Sequence, residues 1–400
     1  MNKLHHLKSL YLDSCNLPNN FPIPIINSST SLDVLALSDN SLTSSSSVLE
    51  WLFNSNTSVV NLYLYRNKFQ GLIPDGFSRI NSLTSLTLFD NEFEGGIPKT
   101  FGDMCNLKTL SLSSNNLSGQ LLRYIHNLTG CANHSIETLF LDDNQITGSL
   151  PDLTMFPSLR VLYLQNNRLN GTIPENLGKQ SMLEYLNLAD NSLEGIISEA
   201  HFSKLTKLKS LDFAYNPSLV FKISSDWVPP FHLESISIQS CQLGPQFLNW
   251  LRTQKNYDSL DLSNTRISDT LYNSNWIFSS QVEYLNLSHN QVSGRIPNLS
   301  LKIPLPLQID LSSNKLEGEI PPFLFQAIQL DLSKNMFSGP IFSLCAVNNW
   351  NLRFLDLSNN RLSGQLPYCW MQFEGLEILS LANNHFFWKN SEICGIPTSD

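Results

Sequence analysis

Three kinds of residue in this sequence could do chemistry: aspartates that stand beside serines, seven cysteines, and asparagines that begin N-x-[ST] motifs. Asp and Ser give nucleophilic catalysis only when a base and an oxyanion-binding group join them in a fixed geometry. The chain contains no strained Ser elbow, phosphate-binding glycine loop, H-E-x-x-H motif or kinase signature. His5 and His6 are predicted to be surface residues. We therefore expect no enzyme, no cofactor and no metal site.

Composition and charge narrow the classes of partner. Hydrophobic residues make up 42% of the chain and charged residues 15%, enough apolar material for a continuous core. A formal net charge of −9 argues against a nucleic-acid partner, because such binding needs clustered Lys and Arg. Residues 1–12 lack the apolar core of a secretory signal, and no run of about 18 apolar residues could span a bilayer. From the sequence as written, we expect neither a signal peptide nor a transmembrane segment.

The elements that must position these residues are repeats. The segment from Leu159 to Leu169 reads L-x-x-L-x-L-x-x-N-x-L, with Asn167 as its marker asparagine. Sixteen such markers lie 21 to 29 residues apart along the chain. The other marker positions are Cys15, Asn40, Asn67, Asn91, Asn115, Asn144, Asn191, Asn216, Cys241, Thr265, Asn290, Asn314, Asn335, Asn360 and Asn384.

This frame predicts a fold. The L-x-L core is a short strand of period two that sends both leucines inward, and one coil cannot bury them without its neighbours. We therefore predict an α/β leucine-rich-repeat solenoid, or horseshoe. Its concave side is expected to be a parallel β-sheet, and its convex side to hold loops, short 3-10 or α turns and secondary strands.

The marker asparagine is expected to satisfy backbone groups at the turn after each strand, so that stacked asparagines form a ladder. Cysteine is small enough for the same position. Cys15 and Cys241 are therefore predicted to be buried structural thiols.

The second half of the repeat ends in L-x-G-x-I-P, as at Gly171-Thr172-Ile173-Pro174. Glycine there gives backbone freedom, and proline limits further strand pairing. This ending resembles the plant-specific class of leucine-rich repeat, which occurs in extracellular receptors and cell-wall inhibitors.

A narrower resemblance rests on the segment Trp227-Val228-Pro229-Pro230-Phe231, on Met104-Cys105-Asn106-Leu107 and on Leu366-Pro367-Tyr368-Cys369-Trp370. These segments resemble plant receptor-like proteins of the fungal-xylanase-receptor and apple-scab-resistance kind. The resemblance implies a non-catalytic, glycosylated ectodomain that faces the cell exterior at the plasma membrane. It also implies recognition of a protein, peptide or glycan elicitor in pathogen defence, and signalling through a co-receptor kinase.

The predicted domain organisation is one solenoid of about 16 repeats over residues 1–384, irregular at 217–271, followed by a tail at 385–400. Within the irregular part, residues 246–254 have the apolar spacing of a short convex-side helix. The start lacks the cysteine-containing cap of the family, so we interpret the chain as an ectodomain fragment. Cys394-Gly395-Ile396-Pro397 is similar to the motif that closes the repeats in relatives.

The candidate binding site lies in repeats 3 to 7. Two columns should face the concave side: an inner column, formed by the residue between the paired leucines, and an outer column, formed by the residue after the second leucine. In repeats 11 to 15 these columns hold mainly Asp and Ser, which indicates a solvated surface. In repeats 3 to 7 they are rich in aromatic side chains, which make good anchors for a ligand. The predicted site consists of Tyr63, Tyr65, Arg66, Phe89, Phe140, Asp142, Tyr163 and Gln165. Alternatively, these aromatic residues only pack against each other across neighbouring coils.

Eight asparagines begin glycosylation motifs, about the number that chance gives for this composition, so the expectation of glycans rests on the family resemblance. The candidates are Asn27, Asn56, Asn116, Asn127, Asn133, Asn170, Asn286 and Asn298.

Cys345 and Cys369 lie ten and nine residues beyond their marker asparagines, and Cys394 lies ten beyond the next, so the three should stack in one column. A disulfide between adjacent coils is geometrically plausible there. Cys105 and Cys131 are a second candidate pair. If the chain stays in the cytosol, every cysteine should be reduced.

Three functions fit this reading. The first is a defence-type receptor-like protein. The second is a soluble decoy or inhibitor of the polygalacturonase-inhibitor kind, although such proteins typically have about ten repeats. The third is a developmental receptor that senses a peptide. A nonfunctional truncated product is compatible with all three.

Overall fold

The strands form where the leucine frame predicts them. We describe residues 6–20, 32–54, 57–254, 256–271, 275–278, 281–299, 307–347 and 351–387 of a computed structural model. The chain divides into two units, residues 1–232 (unit 1) and 233–400 (unit 2). The boundary falls inside the stretch that the sequence marks as irregular.

Each described coil contributes one three-residue strand to a parallel main sheet. In unit 1 these strands are Ser9–Tyr11, Val34–Ala36, Asn61–Tyr63, Ser85–Thr87, Thr109–Ser111, Thr138–Phe140, Val161–Tyr163, Tyr185–Asn187 and Ser210–Asp212. In unit 2 they are Ser235–Ser237, Ser259–Asp261, Tyr284–Asn286, Gln308–Asp310, Gln329–Asp331, Phe354–Asp356 and Ile378–Ser380. The central Leu or Ile of nearly every strand is buried, and we call the opposite side of this sheet the concave face.

A second row of parallel strands follows the marker positions. In unit 1 it comprises Gln70–Leu72, Glu92–Gly95, Asn116–Gln120, Gln145–Gly148, Arg168–Thr172, Ser192–Ile197 and Ser218–Phe221. In unit 2 it comprises Ser293–Gly294, Lys315–Gly318, Met336–Gly339, Arg361–Gln365 and His385–Phe387. The last strand continues the repeat pattern three residues past the predicted end at residue 384, because it pairs in register with Arg361–Gln365. Cys394 lies outside the described residues.

The convex side consists of short helices and loops. Three segments are α-helical: Ser47–Asn54, Leu121–Asn127 and Ala132–Ser135. The described 3-10 turns are Asp75–Arg79, Lys99–Asp103, Glu175–Lys179, Glu199–Phe202, Asn249–Thr253, Asn275–Ile277, Pro322–Gln326, Phe342–Ala346 and Cys369–Gln372. The helix predicted over residues 246–254 is therefore a shorter 3-10 turn, which buries Trp250 and Leu251.

The predicted asparagine ladder is confirmed, and Asn191 shows its geometry. Its side-chain amide donates to the carbonyl oxygens of Leu164 in the preceding coil and Leu188 in its own coil, at 3.0 and 3.2 Å. Its side-chain oxygen accepts the backbone N–H of Leu169 at 2.9 Å. Each marker asparagine thus joins two coils through backbone groups that would otherwise be buried without partners.

The residues that replace asparagine at the marker position differ in burial. Thr265 is buried, and its hydroxyl donates to the Leu262 carbonyl oxygen at 2.7 Å. Cys241 is buried as predicted, but Cys15 is exposed, so the prediction for Cys15 was wrong. Cys15 belongs to the first described coil, where no described coil precedes it to cover the thiol.

Candidate functional site

The concave face carries three columns of side chains, one more than the sequence pattern was taken to expose. The residue at the start of each strand faces the same side as the residues two and four positions later, because side chains alternate along a strand. This first column adds the half-buried aromatic residues Tyr185, Tyr284 and Phe354. The period-two alternation of the strand, extended to the residue just before the first paired leucine, could have identified these three aromatic residues.

The predicted aromatic residues lie together on the concave face of unit 1, in two pairs. The rings of Tyr65 and Phe89 stack with centroids 4.5 Å apart and planes 7° from parallel. Phe140 and Tyr163 meet edge to face at 5.0 Å. All four side chains and Tyr63 are half-buried, so the rings pack across coils and still present surface to solvent. The rings therefore pack across neighbouring coils and still leave surface exposed, so both the packing and the binding interpretation remain open.

Polar groups border these rings. Arg66 has a left-handed backbone with φ of 51°, and its Nε lies 3.5 Å from the carboxylate of Asp90. The hydroxyl of Ser113 donates to the carboxylate of Asp142. The side-chain oxygen of Gln165 is buried and accepts no hydrogen bond from the described residues.

Burial shifts two titrations in this group. The pKa of Asp142 is raised, chiefly because burial disfavours the charged carboxylate. The pKa of Tyr163 is also raised, first by burial and then by the neighbouring Tyr185 and by the carboxylates of Asp142 and Asp212. This part of the concave face is thus partly shielded from water.

Unit 2 has a hollow on its concave face, where the sequence predicted only a uniform surface. Its volume is about 300 Å³, and its lining includes Tyr284, Gln308, Asp310, Gln329, Asp331 and Phe354. Burial and the neighbouring Asp310 and Asp356 raise the pKa of Asp331. Burial, followed by the Asp261 carboxylate at 3.1 Å, raises the pKa of Tyr284 to about 12.

The prediction of a solvated Asp and Ser surface in repeats 11 to 15 was wrong. The outer-column serines are buried, as are Asp261 and Asn286. Each inner-column side chain accepts the backbone N–H of the serine two residues later, as Asp310 does from Ser312 at 2.9 Å. The same bond forms in the other four coils of this stretch. The D-x-S pattern is therefore explained by a local side-chain-to-backbone turn rather than by exposure.

The structure separates the glycosylation candidates. Asn116, Asn170 and Asn298 are exposed. Asn127 is half-buried, and its side-chain amide donates to the Ile97 carbonyl oxygen at 2.7 Å. Asn27 and Asn56 lie outside the described residues.

Two further glycosylation candidates are buried and have their side-chain amides bonded inside the fold. Asn133 is buried, and its amide donates to the carbonyl oxygen of Met155 at 2.7 Å. Asn286 is buried on the concave face, with its amide bonded to Asp261 and Tyr284. A glycan needs the amide nitrogen that each of these residues uses inside the fold.

Both candidate cysteine pairs are joined. Cys105 and Cys131 form a disulfide with Cα atoms 4.8 Å apart, and Cys345 and Cys369 form one with Cα atoms 5.6 Å apart. Each bond links the convex segments of neighbouring coils. Among the described residues, no group of three or more His, Cys, Asp or Glu side chains could hold a metal ion. None of the described helices combines the length and apolar character that crossing a bilayer requires.

Comparison with known proteins places this geometry in a family. The family model described as "Leucine rich repeat" matches residues 157–217, and one described as "Leucine Rich repeats (2 copies)" matches 134–178. A third, "Leucine Rich Repeat", matches residues 82–104, 106–128, 281–301, 307–327 and 351–373. Receptor-like protein EIX2 of Solanum lycopersicum is 41% identical over 190 residues, which cover 47% of this chain and 18% of that protein. The chain carries leucine-rich repeats and is similar to plant leucine-rich-repeat receptor-like proteins.

Other receptor-like proteins match longer or more similar parts of the chain. Receptor-like protein EIX1 of Solanum lycopersicum is 46% identical over 129 residues, covering 32% of this chain and 12% of that protein. Receptor-like protein 39 of Arabidopsis thaliana is 32% identical over 286 residues, covering 70% and 30%. This chain thus spans less than a third of the length of each of these three relatives.

Solved structures similar to this chain include plant receptors. The crystal structure of a TDR receptor has a TM-score of 0.73 and 26% identity, covering 95% of this chain and 68% of that one. The Arabidopsis receptor kinase HAESA, in complex with the peptide hormone IDA and the co-receptor SERK1, has a TM-score of 0.62 and 28% identity, covering 89% and 58%.

Proposed function

We propose that this chain is a non-catalytic ligand-recognition part of the extracellular domain of a plant cell-surface receptor-like protein. In this proposal, the aromatic surface of unit 1 binds a protein or peptide elicitor from a pathogen, and a partner kinase at the plasma membrane carries the signal. The aromatic surface consists of Tyr63, Tyr65, Phe89, Phe140 and Tyr163.

The observation that carries the proposal is the pairing of these rings on a rigid sheet. Tyr65 and Phe89 are held by each other, as are Phe140 and Tyr163, so little side-chain entropy remains to be lost on binding. Large amphipathic side chains fixed in this way are typical of the residues that dominate protein interfaces. The complex of HAESA with a peptide and a co-receptor supports the choice of a peptide or protein ligand and of a partner kinase.

The test uses the chain secreted from plant cells. It would be screened against secreted proteins of plant-pathogenic fungi, and the dissociation constant of each binder measured by surface plasmon resonance. Replacing Tyr63, Phe89, Phe140 and Tyr163 together by serine should weaken binding at least about a hundredfold, because truncation of each central aromatic anchor typically costs 1 kcal/mol or more.

The matched control replaces four exposed apolar residues outside the concave strands by serine, namely Leu72, Ile196, Val228 and Tyr368. This variant should bind as the unmodified chain does. Equal affinity of the two variants would contradict the proposed binding surface.

A further inference from the structure

The outer column of the aromatic surface is interrupted at one coil. Tyr65, Phe89, Ser113, Asp142 and Gln165 follow one another on successive coils in this column. The register is set by backbone bonds, because Asp90 N–H donates to the Ser113 carbonyl oxygen and Ser114 N–H to the Asp142 carbonyl oxygen, both at 3.0 Å. Ser113 therefore stands between a phenyl ring and a carboxylate, and its side chain is the smallest of the five.

This interruption leaves one face of the Phe89 ring uncovered by its column neighbour. The rings of Tyr65 and Phe89 are nearly parallel at 4.5 Å, so their faces are directed along the row of coils. Tyr65 covers one face of Phe89, and the other face is directed toward Ser113. A serine side chain is too short to cover a phenyl ring. The strands that carry Phe89 and Asp142 are two strand spacings apart, roughly 10 Å between backbones, and we call the space above Ser113 between the two side chains the slot.

The opposite wall of the slot is acidic and lacks a cation. Ser113 Oγ donates to Oδ1 of Asp142, and Oδ2 takes no part in that bond. Within the described residues, Asp142 makes no ion pair, and the charged neighbour that acts on it is another acid, Asp143, through both its charge and a side-chain hydrogen bond. Burial raises the pKa of Asp142, because it disfavours the charged carboxylate. A cation in the slot would relieve this cost.

We propose that this slot binds the guanidinium group of one arginine side chain of the ligand, stacked on the open face of Phe89 and paired with the carboxylate of Asp142. The inference rests on the proposed function and names the chemistry that the same surface recognises. Guanidinium is planar and weakly hydrated, stacks on aromatic faces and donates to a carboxylate at its edge. A ring contact within about 6 Å of the centroid and a hydrogen bond of about 2.8 Å together fit a slot of this width.

Other occupants match the slot less well. A neutral aromatic side chain would cover Phe89 but would bury the Asp142 carboxylate with Ser113 as its hydrogen-bond donor and without a cation. A lysine ammonium would pair with Asp142 but, as a compact and strongly hydrated charge, gains less from the ring face. Of these side chains, arginine gains most from the ring face of Phe89 and the carboxylate of Asp142 together.

The experiment measures binding of N-acetyl-arginine amide to the full chain by saturation-transfer NMR, with N-acetyl-citrulline amide as the uncharged isostere. We expect saturable binding of the arginine probe and none of the citrulline probe. Asp142→Asn should weaken the arginine probe about tenfold, because a charge-assisted hydrogen bond is lost. Phe89→Leu should weaken it about threefold through loss of the ring face. Circular dichroism verifies that both variants fold.

The matched control is Asp356→Asn, which changes a half-buried inner-column carboxylate on the concave face of unit 2 that accepts the backbone N–H of Ser358. It should leave binding of the arginine probe unchanged. The proposal is overturned if citrulline binds as arginine does, if Asp142→Asn has no larger effect than Asp356→Asn, or if Phe89→Leu binds the probe as the unmodified chain does.

These outcomes are independent of the test of the proposed function. If the slot binds the arginine probe but elicitor binding survives the four serine substitutions, which remove Phe89, the slot is an arginine site that the elicitor does not use, and the proposed surface is contradicted. If the serine variant loses elicitor binding but the chain does not distinguish the arginine probe from the citrulline probe, the proposed surface is supported and the slot is overturned.

Discussion

Arg160 and Glu184 stand on adjacent coils of unit 1, with Nη2 of the guanidinium 2.6 Å from Oε1 of the carboxylate. Glu184 also accepts Lys209 Nζ from the following coil at 3.3 Å, and Lys108 pairs with Glu137 at the same repeat position at 2.8 Å. Charges of opposite sign thus join neighbouring coils beside the main sheet. The Arg160 hydrogen bond is the main reason why the pKa of Glu184 lies below its ordinary value.

Replacing Glu184 by Gln should lower the free energy of unfolding by up to about 1 kcal/mol at pH 7. The folded-state pKa is depressed, so the contribution is complete above the unfolded pKa and is lost as the pH falls through the folded value. Urea denaturation at pH 7 and at pH 3 should therefore show a difference that shrinks in acid. Glu377→Gln is the control, since its pair with Arg353 is longer, at 3.6 Å, and more exposed. A difference that grows toward acid would contradict the assignment.

Replacing Asn191 by Ala should destabilise unit 1 by about 2 to 4 kcal/mol, because buried backbone groups of two coils lose their partners. Asn191→Thr should cost less, since Thr265 makes a comparable bond at its own marker position. Thermal denaturation followed by circular dichroism gives the order of stability of these variants. The control is Asn170→Ala, which changes an exposed asparagine, and all proteins are produced in bacteria. Equal midpoints for Asn191→Ala and Asn170→Ala would be incompatible with the ladder.

Glycans should occupy Asn116, Asn170 and Asn298 when the chain is secreted from plant cells, because these side chains are exposed. Asn133 and Asn286 should be unmodified in folded protein, since each amide nitrogen is bonded inside the fold. Glycopeptide mass spectrometry measures occupancy at each site. A largely occupied Asn286 would mean that the packing around Asp261 and Tyr284 is wrong.

Removing the bond between Cys105 and Cys131 should cost about 3 kcal/mol, as expected for a loop closed over a sequence separation of 26 residues. The double variant Cys105→Ser/Cys131→Ser should unfold at a lower temperature than the unmodified chain, and reductant should change the variant less. Cys15→Ser is the control, because Cys15 is exposed and belongs to neither disulfide. Intact-mass analysis with and without reductant counts the bonds directly.

The sequence by itself determined the solenoid. The period of the leucines sets the strands, because a leucine in the L-x-L core has no other place to be buried than between coils. Asn191 and its equivalents set the turns, because an amide can both donate to and accept from the backbone. The spacing of Cys345 and Cys369 from their marker asparagines placed them in one column, since the marker fixes position within the coil.

Only the tertiary structure decided which repeated residues are accessible. Asp310 in the inner column accepts the backbone N–H of Ser312, whereas Asp142 in the outer column accepts the hydroxyl of Ser113 from the preceding coil. The sequence pattern is the same whether a polar side chain points to solvent or folds back onto its own backbone, and it carries no information on ring orientation. Tyr65 stacks on one face of Phe89, and the small Ser113 stands on the side of the other face. These three residues are 24 positions apart on successive coils, so no single repeat encodes their arrangement.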